Sequence, residues 1–374
     1  MALSIVHGIL LTIIGIIIMP GFLKLFTSDF TIINLGTRYS TIALSFSVII
    51  MISVTFEKIF QSVGKMVIAM ISLTAGCIIN IILDPIMIFG LGPIPAMGIE
   101  GAAWATGIGQ TVTLLIYIFA YLQKGINIKL SLKYLNRENP ICWKLYNIGI
   151  PASLNMALPS LLVSALNGIL SALSPMYVVV LGVYYKLQTF IYLPANGIIQ
   201  GMRPIMSYNF GAGEHKRVKR IYKTSLVLIL ALMILGMILC FTIPRQLLGL
   251  FTSSYETIQA GVTALKIISL GFIVSSISIS SSGSLEALGE GIESLIISLL
   301  RYVFLIIPLA FLLSRIFGVN GVWSAFGITE AITSIIAFII FNKSINKTCI
   351  LNKNIKKEQL IINYTLCQGQ FKKE

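Results

Sequence analysis

The chain has 374 residues, of which 56% are hydrophobic and only 11% are charged. Soluble globular proteins carry roughly 25% charged residues, so this composition excludes a water-soluble enzyme. The formal net charge of +14 would suggest nucleic-acid binding in a soluble domain, but here the basic residues lie between apolar runs. In that position they act as topology signals of a membrane protein, and we expect no nucleic-acid partner.

Apolar runs of about twenty residues recur from Ala2 to Phe341, and each is long enough to cross a roughly 30 Å hydrocarbon core as a helix. The runs are continuously apolar, whereas the strands of outer-membrane barrels alternate polar and apolar residues. The sequence therefore predicts an all-α, polytopic membrane protein. The ten predicted spans are residues 2–22, 38–56, 66–89, 99–122, 146–171, 177–200, 224–243, 258–283, 294–313 and 319–341.

The distribution of Lys and Arg between the loops predicts the orientation. If the first span starts in the cytoplasm, the inside loops carry thirteen basic residues and the outside loops carry four. Cytoplasmic loops are enriched in Lys and Arg, so we expect both termini in the cytoplasm and a location in the inner, or plasma, membrane. The five cysteines have no paired or metal-type spacing, and we expect neither a disulfide framework nor a metal site.

An internal repeat organises the chain. Three segments in its first third resemble three segments in its last third at nearly one offset, so spans one to four match spans seven to ten. The matched segments begin at Pro20 and Pro244, at Phe60 and Leu285, and at Gly98 and Gly318. The offset predicts that two helices are missing from the front of a two-lobed protein. Parallel six-helix repeats are typical of secondary transporters.

The repeat also predicts the domain boundaries. Residues 1–122 are expected to form the remainder of the N-terminal lobe, with four helices, and residues 146–347 a C-terminal lobe with six. Residues 123–145 are expected to be a cytoplasmic linker between the lobes. Residues 348–374 are a polar and basic C-terminal tail, to which the pattern assigns no fold.

Asp84 is the strongest functional candidate. Asn80 precedes it by four residues in the third span, so the amide and the carboxylate share one helical face. A buried carboxylate is costly to keep charged and can exchange a proton or hold a cation as access alternates. Alternatively, Asp84 caps a helix that is kinked at Pro85. Thr106 on the next span either adds a hydroxyl to this site or is a small packing residue.

The second lobe contains a polar interruption within its second span. We expect Tyr184, Tyr185, Lys186 and Gln188 to lie near a cavity, with Lys186 facing the cavity or a carboxylate rather than lipid. The tyrosines offer flat faces to aromatic cations, although packing is the commoner role of such residues. Glu330 has no obvious local partner and is a further candidate for the cavity.

Several stretches carry a family resemblance. They are residues 60–65, 78–89, 97–106, 201–213 and 216–220. Their most specific patterns are Asn-x-x-x-Asp-Pro and Arg-Pro-x-x-x-Tyr-Asn-Phe-Gly-Ala. Together they resemble the multidrug and toxic compound extrusion (MATE) family, and most closely its MepA-like bacterial branch, over residues 1 to about 347.

The resemblance implies twelve helices in two six-helix lobes that export cationic drugs in exchange for H⁺ or Na⁺ by alternating access. In one branch of the family, a cation site on the fifth helix maps to Asn80 and Asp84, and a threonine of the sixth helix maps to Thr106. The acidic partner on the first helix would lie in the missing segment. No cofactor is implied, and we expect a monomer in contact with membrane lipid.

Two other functions are compatible with the sequence. A lipid-linked substrate flippase of the same superfamily would normally place more cationic residues in its cavity than Lys186 and Arg301. A non-transporting, truncated membrane fragment is the other alternative. An upstream in-frame segment of about eighty residues with two apolar runs would argue against the fragment.

Overall fold

The computed structural model describes residues 1–25, 27–91, 95–123 and 141–370, and for residues 141, 144 and 346–370 it describes the backbone alone. The chain divides into two compact units, Met1–Glu138 and Asn139–Glu374. Regular structure in the described residues is entirely helical, which confirms the all-α prediction. Most of the predicted linker, residues 123–145, lies outside the described residues.

In its described residues, the first unit contains five helices. They are α1 (Ala2–Lys24), α2 (Phe30–Ser45), α3 (Ser47–Ser62), α4 (Met66–Phe89) and α5 (Ile99–Leu122). Asp29 caps the start of α2, where its carboxylate accepts a hydrogen bond from the Thr31 amide at 2.8 Å. Gly90 ends α4 in the left-handed conformation, at φ 75°, which glycine adopts without strain.

Small residues bring α4 and α5 close together. A Cβ atom added to Gly76 of α4 would fall on the Thr113 hydroxyl of α5 and would lie 2.7 Å from the Gly109 carbonyl oxygen. Gly109 likewise lies against the Gly76 carbonyl oxygen. Helices in membranes pack mainly by such close backbone approach, because lipid provides little hydrophobic drive for association.

Among its described residues, the second unit contains eight helices, and a short π-helical stretch, Leu300–Leu305, lies between the sixth and seventh of them. The helices are α6 (Ile141–Ser171), α7 (Pro175–Gly211), α8 (His215–Thr242), α9 (Pro244–Gly249), α10 (Tyr255–Ala287), α11 (Gly291–Leu299), α12 (Ile306–Phe317) and α13 (Val319–Gln370). The core centres on α10, which packs against α7, α8 and α13. Several of its buried serines donate to carbonyl groups one turn earlier, as Ser275 does to Phe272 at 2.8 Å.

The described helices agree with the predicted spans at all positions except the second. Within the part of the chain that the structure describes, nine helices are long and apolar enough to cross a membrane, and the bent pair of α2 and α3 would make ten. The predicted second span, residues 38–56, is instead two helices that meet at 46° around Phe46. The Phe46 ring packs edge-on against Trp104 and over Gly107 of α5, so tertiary packing favours the break. At the other end of the chain, α13 continues into the polar tail.

Candidate functional site

A polar cluster joins α4 and α5 in the first unit. The Asn80 side-chain amide donates to the Asp84 carboxylate at 3.3 Å and to the Thr106 hydroxyl at 3.4 Å. Thr106 in turn donates to the Ala102 carbonyl oxygen at 3.0 Å. The structure therefore brings together all three residues that the sequence selected for this lobe.

The cluster is rich in oxygen atoms that can accept a proton or a cation. Both N–H groups of the Asn80 amide are used, so its oxygen and the carboxylate oxygens of Asp84 keep free lone pairs. Asn80 and Asp84 are half-buried and Thr106 is exposed. Pro85 has no N–H, which leaves the Ile81 carbonyl without its helical donor and adds a further oxygen one turn away.

The close approach of α4 and α5 holds the cluster together, which leads to a first prediction. Gly76→Ala should push the helices apart and lower the free energy of unfolding by about 1–3 kcal/mol, because the new methyl group meets backbone atoms of α5. Gly21→Ala is the matched control, since no atom lies within 4 Å of the added methyl group there. Denaturant unfolding of the purified protein measures both. Equal stability of the two variants would contradict the prediction.

The second unit contains a cavity of about 270 Å³. Its lining from α7 follows a helical stripe of residues three, four, seven, eight and eleven positions after Tyr185. The stripe consists of Tyr185, Gln188, Thr189, Tyr192, Leu193 and Asn196. Pro159 and Leu162 of α6 and Phe326 of α13 contribute apolar surface. The cavity thus combines aromatic faces with hydroxyl and amide groups, a composition suited to aromatic ligands with a few polar groups.

An ion pair lies in the wall of this cavity. The Arg301 guanidinium donates from Nε to Glu330 Oε1 at 2.8 Å and also from Nη2 to the same oxygen. Ser278 donates to the other carboxylate oxygen at 3.3 Å. The exposed fractions of the Arg301 and Glu330 side chains are 12% and 13%. Arg301 belongs to the π-helical stretch, a local change of helical phase that is frequent at functional sites.

Of the five cavity residues selected from the sequence, three line this cavity and two do not. Tyr185, Gln188 and Glu330 line the cavity. Tyr184 is 2% exposed and packs edge-on against Phe326 at a centroid distance of 5.6 Å. Lys186 is exposed, and its ammonium lies 5.8 Å from the centre of the Phe251 ring.

The lining of this cavity does not include Lys186, so the expectation that Lys186 faces a cavity or a carboxylate is not met at this site. Successive helical residues point about 100° apart, so the neighbours of Tyr185 lie off the cavity stripe. None of the ion pairs among the described side chains includes Lys186. Glu330, expected to lack a local partner, is paired with Arg301. The 3.6-residue period, applied along α7, would have separated Tyr185 from Lys186. It would also have selected Tyr192 and Asn196 as cavity residues.

A second polar network, which the sequence did not reveal, joins four helices of the second unit. Arg203 of α7 pairs with Glu286 of α10 at 2.5 Å. Asn155 of α6 donates to Glu286 and to Ser294 of α11, in both cases at 3.2 Å. Arg203 belongs to the Arg-Pro pattern of the family resemblance, and this pattern is the sequence signal that could have identified the network.

Comparison with known proteins places the chain in a family. A family model described as MatE matches residues 1–86 and 151–312. The multidrug export protein MepA of Staphylococcus saprophyticus is 30% identical over 285 residues, or 76% of this chain, and the chain spans 62% of the length of that relative. The MepA protein of Staphylococcus aureus strain bovine RF122 is 28% identical over 346 residues, which are 90% of this chain and 74% of that protein.

Solved structures share the fold. One, described as the outward-facing conformation of a multidrug resistance MATE family transporter of the MOP superfamily, has a TM-score of 0.87 at 20% identity. The match covers 93% of this chain and 77% of the chain in that structure. A crystal structure of MATE in the bent conformation gives a TM-score of 0.85, also at 20% identity. At these identities the likeness establishes the fold alone.

The family model extends over more than half of the chain. The family resemblance read from the sequence motifs is thereby confirmed, as is the prediction of a polytopic helical membrane protein. The chain is a MepA-like member of the MatE family.

Proposed function

We propose that this protein is a secondary active multidrug efflux transporter that exports cationic drugs in exchange for H⁺ or Na⁺ by alternating access. The names of the relatives as multidrug export proteins support the drug substrates. The excess of basic residues in the predicted inside loops, thirteen against four in the outside loops, supports an orientation with both termini in the cytoplasm, in the plasma membrane. We further propose that the transporter works as a monomer surrounded by membrane lipid.

The observation that carries the proposal is the cluster of Asn80, Asp84 and Thr106 between two membrane-spanning helices. A proton or a cation at Asp84 neutralises a charge that is costly in the membrane, and its release restores that charge. The neutralised and charged states of Asp84 therefore differ in how strongly α4 and α5 are held together near the cluster. To bind Na⁺, the Asn80 amide would rotate by half a turn, so that its oxygen faces the ion where its N–H groups now point.

A transport experiment tests the proposal and identifies the ion. Purified protein in liposomes is loaded with ethidium, and an inward gradient of H⁺ or of Na⁺ is imposed separately. One of the two gradients should accelerate dye export, and dissipating that gradient with an ionophore should abolish the acceleration. Dye export that is the same with and without both gradients would reject coupled antiport.

The cavity of the second unit is the proposed drug site, with Tyr185, Gln188 and Glu330 as binding residues. Arg301 neutralises the Glu330 carboxylate, so the carboxylate alone does not account for binding a cation. The aromatic faces of Tyr185 and Tyr192 offer a second source of attraction, since cations and flat aromatic drugs both bind to such faces. Planar aromatic cations are thus the substrates that fit this lining.

Tyr185→Phe is expected to weaken drug binding without a loss of stability. The Tyr185 hydroxyl has no hydrogen-bond partner among the described residues, so its removal breaks no bond within the protein. A drug that bonds to it should lose affinity about tenfold, which corresponds to one hydrogen bond of about 1.4 kcal/mol. Tyr177→Phe on the same helix, outside the cavity lining, is the control. Unchanged dissociation constants for all drugs tested would remove Tyr185 from the site.

A further inference from the structure

Lys186 is a charged residue on an apolar surface, and the described residues do not explain its charge. It is exposed and belongs to none of the ion pairs among the described residues. Its ammonium lies over Phe251, 5.8 Å from the ring centre. A charge within a membrane-spanning helix needs a partner of opposite sign or access to the membrane surface.

The position of Phe251 shows where the ammonium lies along the membrane. The helix α8 ends at Thr242, the short α9 follows from Pro244, and Phe251 comes just after α9. Phe251 is therefore beyond the apolar span of α8. A lysine side chain over this ring lies beside the segment that follows the apolar span of α8, and a charged side chain of a membrane-spanning helix reaches toward such a segment.

An apolar groove begins next to this ammonium. It has a volume of about 220 Å³ and lies between α7 and α8, with Leu247 of α9 at one end. Its lining is apolar and includes Leu187 and Phe190, the residues that follow Lys186 on the same helix, and Leu235 of α8. The Phe190 ring also contacts Phe251, at a centroid distance of 6.5 Å. From Cys240 to Leu232 the groove follows α8 for about 12 Å toward the membrane interior.

We propose that Lys186 and this groove form a binding site for an anionic glycerophospholipid. The phosphate of the lipid accepts hydrogen bonds from the Lys186 ammonium, and one acyl chain occupies the groove between α7 and α8. The arrangement matches the shape of a lipid, because a single cation lies beside one end of an apolar groove that runs along α8 away from it. The site is separate from the cavity lined by Tyr185, since Lys186 lies off that helical stripe.

Native mass spectrometry of the purified protein tests the site. Lipid binding is titrated with phosphatidylglycerol and, separately, with phosphatidylcholine of the same acyl chains. Lys186→Gln should weaken binding of phosphatidylglycerol about fivefold, the usual contribution of one basic residue at a membrane surface. Lys266→Gln is the matched control: Lys266 is exposed and is the twelfth residue of α10, as Lys186 is of α7, but no residue of α10 lines the groove.

A second pair of variants tests the groove independently of the charge. Leu235→Trp should fill the groove and weaken binding of both lipids, and it should be tolerated because Leu235 is 54% exposed. Leu228→Trp, two turns earlier on the same helix at 50% exposure and outside the groove, should bind both lipids as the unmodified protein does. Equal losses in the two lysine variants, or unchanged binding in Lys186→Gln, would overturn the proposal. Equal affinity of the unmodified protein for the two lipids would also overturn it.

Discussion

Asp84→Asn is expected to abolish ion-driven drug efflux, lowering it to the level of liposomes without protein. The amide has the same shape as the carboxylate and can still accept the hydrogen bond from Asn80, so the contact between α4 and α5 is preserved. It cannot take up or release a proton, and it holds Na⁺ more weakly because it carries no charge. Gradient-driven ethidium export by the purified variant is the measurement.

Asp29→Asn is the matched control for this experiment. It makes the same chemical change in the same unit, at an exposed position where the side chain caps α2. Asparagine caps helices as well as aspartate does, so neither stability nor transport should change. Efflux by the Asp84 variant at the rate of the Asp29 variant would exclude Asp84 from coupling.

The neutral residues of the cluster then distinguish the two ions. If Na⁺ is the coupling ion, Asn80→Ala and Thr106→Ala each remove an oxygen ligand, and the Na⁺ concentration for half-maximal transport should rise. If H⁺ is the coupling ion, the carboxylate alone carries the proton, and both variants should retain most of the transport. Complete loss of transport in both variants at every ion concentration would fit neither mechanism.

Breaking the ion pair of the second unit is expected to have the largest effect on stability. Arg301→Met leaves the Glu330 carboxylate at 13% exposure without its main donor and should lower the free energy of unfolding by about 3–5 kcal/mol. Glu330→Gln should cost a similar amount, because it leaves the guanidinium uncompensated. The double variant should recover most of the loss, since neither charge then remains. Denaturant unfolding in detergent micelles measures all three.

Arg315→Met provides the control for the loss of an arginine. Arg315 is exposed in the last turn of α12, and its guanidinium lies over the Phe311 ring at 5.2 Å. Its replacement should change stability by no more than about 0.5 kcal/mol. A double variant of Arg301 and Glu330 that is as unstable as the sum of its parts would show that the two residues act independently, against the observed pairing.

The sequence alone was sufficient for the membrane class, for nearly all of the spans and for the family. These depend on local properties, because the length of an apolar run is set by the thickness of the membrane. The pairing of Asn80 with Asp84 was predictable for the same reason, since a spacing of four residues lies within one helix. The stripe along α7 was also present in the sequence, but the prediction took Tyr184 to Gln188 as one block.

Only the tertiary structure decided which helices meet and at what rotation. Thr106 reaches Asn80 because Gly76 and Gly109 allow α4 and α5 to approach closely, across 26 residues of chain. Arg301 and Glu330 are 29 residues apart on separate elements, and the π-helical stretch sets the direction in which Arg301 points. Lys186 lies outside the cavity because the helices that pack against α7 determine which of its faces is buried. Such pairings result from packing between elements, and the periodicity of one helix does not specify its partner.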